Sequence, residues 1–290
     1  MNPEEATKAV AAAGEVSKAA TVFIEKIADL VGGTFKPMQI RRVAKAAADA
    51  RIIDALATQK ISEIERRGLE RLVVEAGRAQ GNIEQITAKA ADLIQEDAQS
   101  EVLESDWVAD FFQKCGTVSD PEVQILWSKI LAGQANTPGS FSKRSVTIVS
   151  TLDKADAHLF SKICSTGIDF GDGLRPLIFS DTDEALLKIG INHDSIMHLQ
   201  DIGLLNFGAI SNYFTRFQPL PNTRQHVRYF SQNYGLFVDT LPDWKLNFGK
   251  VRLTHSGKEL AKISGATEQP EYFEHALTEL RKTGIRIEHW

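Results

Sequence analysis

The first third of the chain is a nearly continuous run of helix-forming chemistry, and that run leaves few folds open. From Pro37 it reads "PMQIRRVAKAAADARIIDALATQKISEIERR". Alanine and long charged side chains dominate, lose little freedom in a helix, and meet no further proline or glycine. Before it, Pro3 suits a helix start, and Val16, Ala20, Phe23, Ile27, Leu30 and Val31 recur on one face of a helix over 3–31. "GGTFKP" (32–37) stops that helix. Gly68 marks a break or bend, and a third helix over 69–94 carries Leu72, Val73, Ala76, Ile83, Ile86 and Ile94. Three such helices predict an elongated, hairpin-like bundle over 1–95, suited to oligomerisation.

"QEDAQSE" (95–101) is polar and reads as a linker into a central helical domain over 102–166. Ser105 caps its first helix. Asp120 caps the second, with Pro121 at the first helical position and Val123 to Ile130 supplying the apolar face. Next comes "ILWSKILAGQANTPGSFSKR" (125–144), the most distinctive stretch of the chain. Gly133 reads as a C-cap, Pro138-Gly139 as a turn, and Ser140 or Ser142 as the cap of a further helix. Asp153 caps another, "DKADAHLFSKICS". Past "TGIDFGDG" (166–173) short helices alternate with strands such as "HVRYF", "YGLFVD" and "KVRLT". This helix–helix–strand–hairpin order resembles a winged-helix module over about 175–265. The expected fold is mainly α with a C-terminal α+β part: an N-terminal bundle, a central helical domain, and a winged-helix-like domain over 174–290.

Composition narrows the function classes. At 43% hydrophobic and 24% charged residues, with a net charge of −5, the chain has no global pull toward nucleic acid or anionic membrane. Its two cysteines, Cys115 and Cys164, form no CxxC, which fits a reducing cytoplasm and no disulfide framework. Glu4, Glu5, Glu15, Glu25 and Asp29 interrupt the alanine-rich start, so no signal-peptide core is read there. No stretch approaches the roughly 18 apolar residues of a membrane span.

A phosphate-binding loop needs glycines that expose backbone N–H groups after a strand, then Lys and Ser/Thr. Residues 133–144 follow a helix, contain Pro138, and match neither GxxxxGK[ST] nor GxGxxG. Lys143 and Arg144 are the odd feature, since cations at a helix start oppose its dipole. Together with Arg41, Arg42 and Lys45 they are the candidate contacts for an anionic partner. No HExxH, GxSxG or SxxK occurs; His193 and His198 are five apart and do not share a helix face; His158 lies near Asp153 and Asp156 without a convergent third group. Both cysteines read as core residues. No catalytic, cofactor or metal-binding residue is therefore assigned. Between 183 and 206 one basic residue, Lys188, faces four acids, a poor footprint for a DNA-reading helix. The amphipathic "KAATVFIEKIADLVGG" beside Arg41, Arg42, Lys45 and Arg51 leaves peripheral membrane contact as an alternative.

The segments "PMQIRRVAKAAADA", "ERRGLERLVVEAGRAQGNIEQITAKA", "LWSKILAGQANTPGSFSKRSVTIVSTLDKADAHLFSKIC" and "VRLTHSGKELAKI" resemble an uncharacterised bacterial family, a domain of unknown function, over roughly residues 20 to 290. The LWxxILAG…PGSFS block is the most specific part. "LAGQ" and "SFSKRSV" stand where the pattern has "LAGE" and "SFSxRT". The P-x-x-I-R-R-x-A-K-A segment is also distantly similar to alpha-type abortive-infection proteins. That similarity implies a role in bacterial stress or anti-phage defence; with no catalytic motif and long N-terminal helices, the chain reads as a non-enzymatic sensor or adaptor there, a homo-oligomer working through protein contacts. The alternatives are a peripheral membrane protein and a winged-helix DNA-binding protein.

Overall fold

The computed structural model describes residues 17–31, 62–216, 224–237 and 245–289. The chain divides into two compact units, Met1–Ser150 and Thr151–Trp290. It is mainly α, and among the described residues the strands all lie in the second unit.

Among the described residues the first unit holds α1 (Lys18–Val31), α2 (Glu63–Ala91), a 3-10 turn (Ser100–Val102), α3 (Ser105–Cys115), α4 (Pro121–Asn136) and α5 (Lys143–Thr151). Helix α1 buries Ala20, Phe23 and Ile27 against the 3-10 turn, α2 and α3. The centre is aromatic: Trp107 stacks on Phe111 with centroids 5.1 Å apart, and Trp127 meets Phe111 edge-on at 5.1 Å. A polar seam locks α2 to the α3–α4 turn. Asn82 donates to the Gly116 carbonyl at 2.8 Å, Gln124 donates to Val118 O at 3.0 Å, and Lys89 donates to Gln124 Oε1 at 2.7 Å. Buried amides so satisfied fix the helix register without leaving an orphaned group.

Two helix starts of the first unit differ from the sequence reading. Helix α2 runs unbroken through Gly68 and begins at Glu63, because Ser62 and Glu65 form a capping box: Ser62 accepts the Glu65 N–H, and the Glu65 carboxylate accepts the Ser62 N–H at 2.8 Å. Ser105 is not a cap. It is the first residue of α3, and Glu104 holds the cap position without a side-chain bond. By contrast Asp120 accepts the N–H groups of Glu122 and Val123, as its place before Pro121 predicts. Residues 3–16 of the helix expected over 3–31, and residues 37–61 of the one expected over 37–67, lie outside the described residues.

The second unit opens with α6 (Lys154–Ser165), capped by Asp153. It continues with β1 (Gly167–Asp169), β2 (Leu174–Pro176), α7 (Glu184–Lys188), α8 (His193–Ile202), β3 (Leu205–Phe207), β4 (Tyr213–Arg216), β5 (Arg224–Tyr229) and β6 (Gln232–Phe237). It ends with β7 (Lys245–Gly249), β8 (Val251–Leu253), α9 (His255–Ala261), α10 (Pro270–Lys282) and β9 (Arg286–His289). Strands β2-β1-β5-β6-β9 form an antiparallel sheet; β3 pairs with β8 and β4 with β7. Helix α10 supplies Phe273, which stacks on Tyr229 of β5 with centroids 3.6 Å apart. The Tyr229 hydroxyl donates to Ser165 O at 3.3 Å and accepts the Gln269 N–H at 2.7 Å. Asn192 caps α8 and Thr254 caps α9, both as the sequence predicts. The cap of α7 is Asp183, three residues past Ser180, where the sequence reading set the start at Ser180 or Asp181.

Candidate functional site

The block from Gly133 to Ser145 resolves into a structural clasp. Helix α4 does not stop at Gly133 but continues to Asn136. The glycine makes room for Phe141, whose ring lies so close that a Cβ on residue 133 would stand 2.6 Å from Phe141 Cε2. Phe141 is buried and held at both backbone polar groups. Gln134 Oε1 accepts its N–H at 3.0 Å, and Trp107 Nε1–H donates to its carbonyl at 2.7 Å. Asn136 reaches back along the chain, donating to Leu93 O at 3.1 Å and accepting the Gln95 N–H at 3.0 Å. Three positions of the loop offer a phosphate no N–H: Ser140 N–H bonds Thr137 O at 3.1 Å, Phe141 N–H bonds Gln134, and Pro138 has none.

Both departures from the family pattern keep this chemistry. Glutamate at 134 still presents an acceptor to the Phe141 N–H, and threonine at 145 keeps the hydroxyl that lies 3.2 Å from the Ser142 hydroxyl. Gln134→Glu is therefore expected to fold with nearly unchanged stability. Gln134→Ala strands a buried N–H and should cost about 1–3 kcal/mol, read from urea midpoints of the two variants.

Lys143 and Arg144 are exposed at the start of α5, which Ser142 caps by accepting the Ser145 N–H at 3.3 Å. Arg41, Arg42 and Lys45 lie outside the described residues.

A second feature of the first unit is the apolar stripe of α2. Leu69, Leu72, Ala76, Ala79, Ile83, Ile86 and Ala90 follow alternating three- and four-residue steps. Ile86 and Ala90, in the second half, are fully buried. In the first half Leu69 and Leu72 are exposed, Leu72 to 63%, with Ile64 and Val74 also open to solvent. Arg66 pairs there with Glu63 and Glu70, and Arg71 with Glu75, all within the helix.

In the second unit the histidines are organised by carboxylates. His198 Nε2 lies 2.6 Å from Asp156 Oδ1, His193 Nδ1 lies 2.8 Å from Asp181 Oδ2, and His275 Nε2 lies 2.6 Å from Asp183 Oδ2. Each aspartate has a further duty. Asp156 completes the capping box of α6, Asp183 caps α7, and Asp181 also takes Lys250 at 3.5 Å. The hydrogen bond from Asp156 raises the His198 pKa against a smaller opposing cost of desolvation, helped by Asp156, Asp153 and Asp201 charges. Burial works to raise the Asp181 pKa, but the His193 bond, its own backbone and Lys250 outweigh it and hold the carboxyl below the usual range.

The sequence places His158 near Asp156, whereas the partner that reaches that carboxylate is His198, 42 positions on. Asp156 and Asp183 serve helix starts and Asp181 lies in the loop before α7, so no spacing rule connects the three to His198, His275 and His193. Both thiols are buried, which pushes their pKa values up, that of Cys164 to about 12, and leaves them poor nucleophiles near neutrality. Among the described residues no group of three His, Cys, Asp or Glu side chains is arranged to hold a metal ion, and no helix is long and apolar enough to cross a membrane.

No curated protein and no solved structure matches the chain. One family model does, described as a protein of unknown function (DUF2806), over residues 66–277. The match starts in the first turn of α2 and ends within α10, taking in the Phe141 clasp and all three histidine–aspartate pairs, and so the chain belongs to the DUF2806 family.

Proposed function

We propose that the chain is a non-enzymatic sensor or adaptor of bacterial stress or anti-phage defence that acts through protein contacts. The observation that carries this reading is the exposed half of the α2 stripe. Leu69 and Leu72 continue the spacing by which Ile86 and Ala90 are buried, and large apolar side chains presented on a regular helix face suit another helix. The defence setting comes from the likeness of the "P-x-x-I-R-R-x-A-K-A" segment to alpha-type abortive-infection proteins. A winged-helix-like interaction module is supported by the run β2, α7, α8, β3 and by the antiparallel pairing of β3 with β8, with β4 to β7 inserted between those two strands. Helix α8, at the recognition position of such a module, turns His193, Asp194, His198 and Asp201 to solvent. Those acids repel a phosphate backbone and suit a protein surface.

The test is phage plating on cells expressing the chain or its Leu69→Glu/Leu72→Glu variant, with a photo-crosslinker at position 72 to trap the contact. An exposed leucine that anchors a partner is worth about 2 kcal/mol, or about 30-fold in affinity. The variant should keep its thermal melt and lose both crosslinking and protection. Unchanged plating with the parent chain would overturn the defence role. A variant that still protects and crosslinks would overturn the α2 contact.

A further inference from the structure

We infer that the three histidine–aspartate clasps make the helices of the C-terminal unit a proton-tightened module, locked by mild acid and loosened by mild base. The three pairs join elements distant in sequence. His198–Asp156 ties α8 to α6 across 42 positions, His193–Asp181 ties the start of α8 to the loop before α7 across 12, and His275–Asp183 ties α10 to α7 across 92. Every aspartate also fixes a helix start or a lysine, so a charge gained on an imidazole acts on the geometry of α6 and α7 as well as on its own contact.

The surroundings leave the protonated ring favoured at the central clasp. Helix α8 packs against α6 and β3. From α6 the groups nearest His198 are Asp156 and Asp153, its own helix adds Asp201, and β3 (Leu205–Phe207) has no titratable residue. The cation of α6 on this side, Lys162, points to Gly190 in the α7–α8 turn. Around His193 stand Asp181, Asp194, the Phe207 ring at 5.5 Å and Lys250, whose charge is already shared with Asp181. Around His275 are Asp183 of the α7 start at 2.6 Å and the Tyr272 ring with centroids 6.3 Å away; its own helix carries Glu271, Glu274 and Glu279 within a turn, and β9, packed against that helix, carries Arg286, Glu288 and His289.

The sign follows from His198 and Asp181. A histidine raised by folding stabilises the folded state fully below its unfolded value, near 6.5, and loses that contribution as pH rises through the higher folded value. A lowered aspartate contributes above its unfolded value, about 4, and loses it as pH falls through the still lower folded one. The contributions of His198 and Asp181 are therefore both present between about pH 4 and 6.5, and that of His198 is lost as pH rises beyond it. In the same interval the exposed face of α8 gives up part of its negative character, so tightening and a change of surface charge arrive together.

Hydrogen exchange of the full chain at pH 6 and pH 8, corrected for intrinsic exchange, tests this. Amides over 181–202 should gain about two- to fivefold in protection at the lower pH. The His193→Gln/His198→Gln/His275→Gln variant should lose that gain, while His158→Gln, an exposed histidine outside the clasps, should keep it. Asp156→Asn, which keeps an acceptor but removes the charge, should lose the part due to His198 and serves alone should the triple variant not fold. A pH response of equal size in Asp156→Asn and the parent chain would overturn the inference.

Discussion

Phe141→Ala should destabilise the first unit by about 3–5 kcal/mol, the ordinary cost of deleting a buried aromatic ring and leaving its cavity. In a unit of this size that corresponds to a fall of roughly 6–20 °C in melting temperature. The backbone bonds to Gln134 and Trp107 involve atoms that alanine retains, so the loss measures the ring alone. The cavity would open beside Gly133 in the last turn of α4, where the helix backbone has no side chain with which to fill it. Phe141→Leu, nearer in volume, should cost about 1.5 kcal/mol or less once repacked. Urea unfolding should show the midpoint moving with the slope unchanged. A change under about 1 kcal/mol for alanine would mean that the ring does not organise the loop.

Gly257→Ala should destabilise the second unit, although alanine in a helix usually stabilises by up to about 1 kcal/mol over glycine. A Cβ there would stand 1.9 Å from the Leu204 carbonyl oxygen, far inside contact distance. That carbonyl cannot retreat freely, because it accepts the Thr254 N–H at 3.1 Å and the Thr254 hydroxyl at 3.2 Å, the cap of the same helix. Overpacking of this kind costs about 1–3 kcal/mol and here outweighs the helix gain. Gly77→Ala is the matched comparison. It lies in α2 with no heavy atom within 4 Å of the added Cβ, so the propensity gain stands alone. The two substitutions should move the melt in opposite directions. Equal signs would remove the close approach of α9 to Leu204 as the reason for the glycine.

These glycines also show where sequence reasoning reaches its limit. Helix starts were legible because a cap is a local matter: Asp120, Asp153, Asn192 and Thr254 each bond an N–H two or three residues on. The mainly α character and the strand-rich C-terminal part were legible from periodicity and β-branched runs. Gly133 was misread as a helix end because glycine at a cap and glycine beneath a ring look alike until the ring, eight positions away, is placed. Gly68 was misread as a break for the complementary reason. A glycine inside a helix carries only a modest penalty, whereas the Ser62 and Glu65 box sets the boundary six residues earlier. The histidine clasps were illegible because their partners are 12, 42 and 92 positions away.

The strand order β2-β1-β5-β6-β9 has a consequence for a chain made from its N-terminus. The β5–β6 hairpin is local and closes at once, but the outer edge of β6 is covered by β9, about 50 residues later. At roughly 5–20 residues per second, translation leaves that edge uncovered for several seconds. Tyr234, Leu236 and Phe237 sit on the waiting strand, so the nascent chain passes through an interval of exposed, apolar strand edge. Slow translation over 238–285, or a chain cut short before β9, would prolong that interval and favour aggregation over folding.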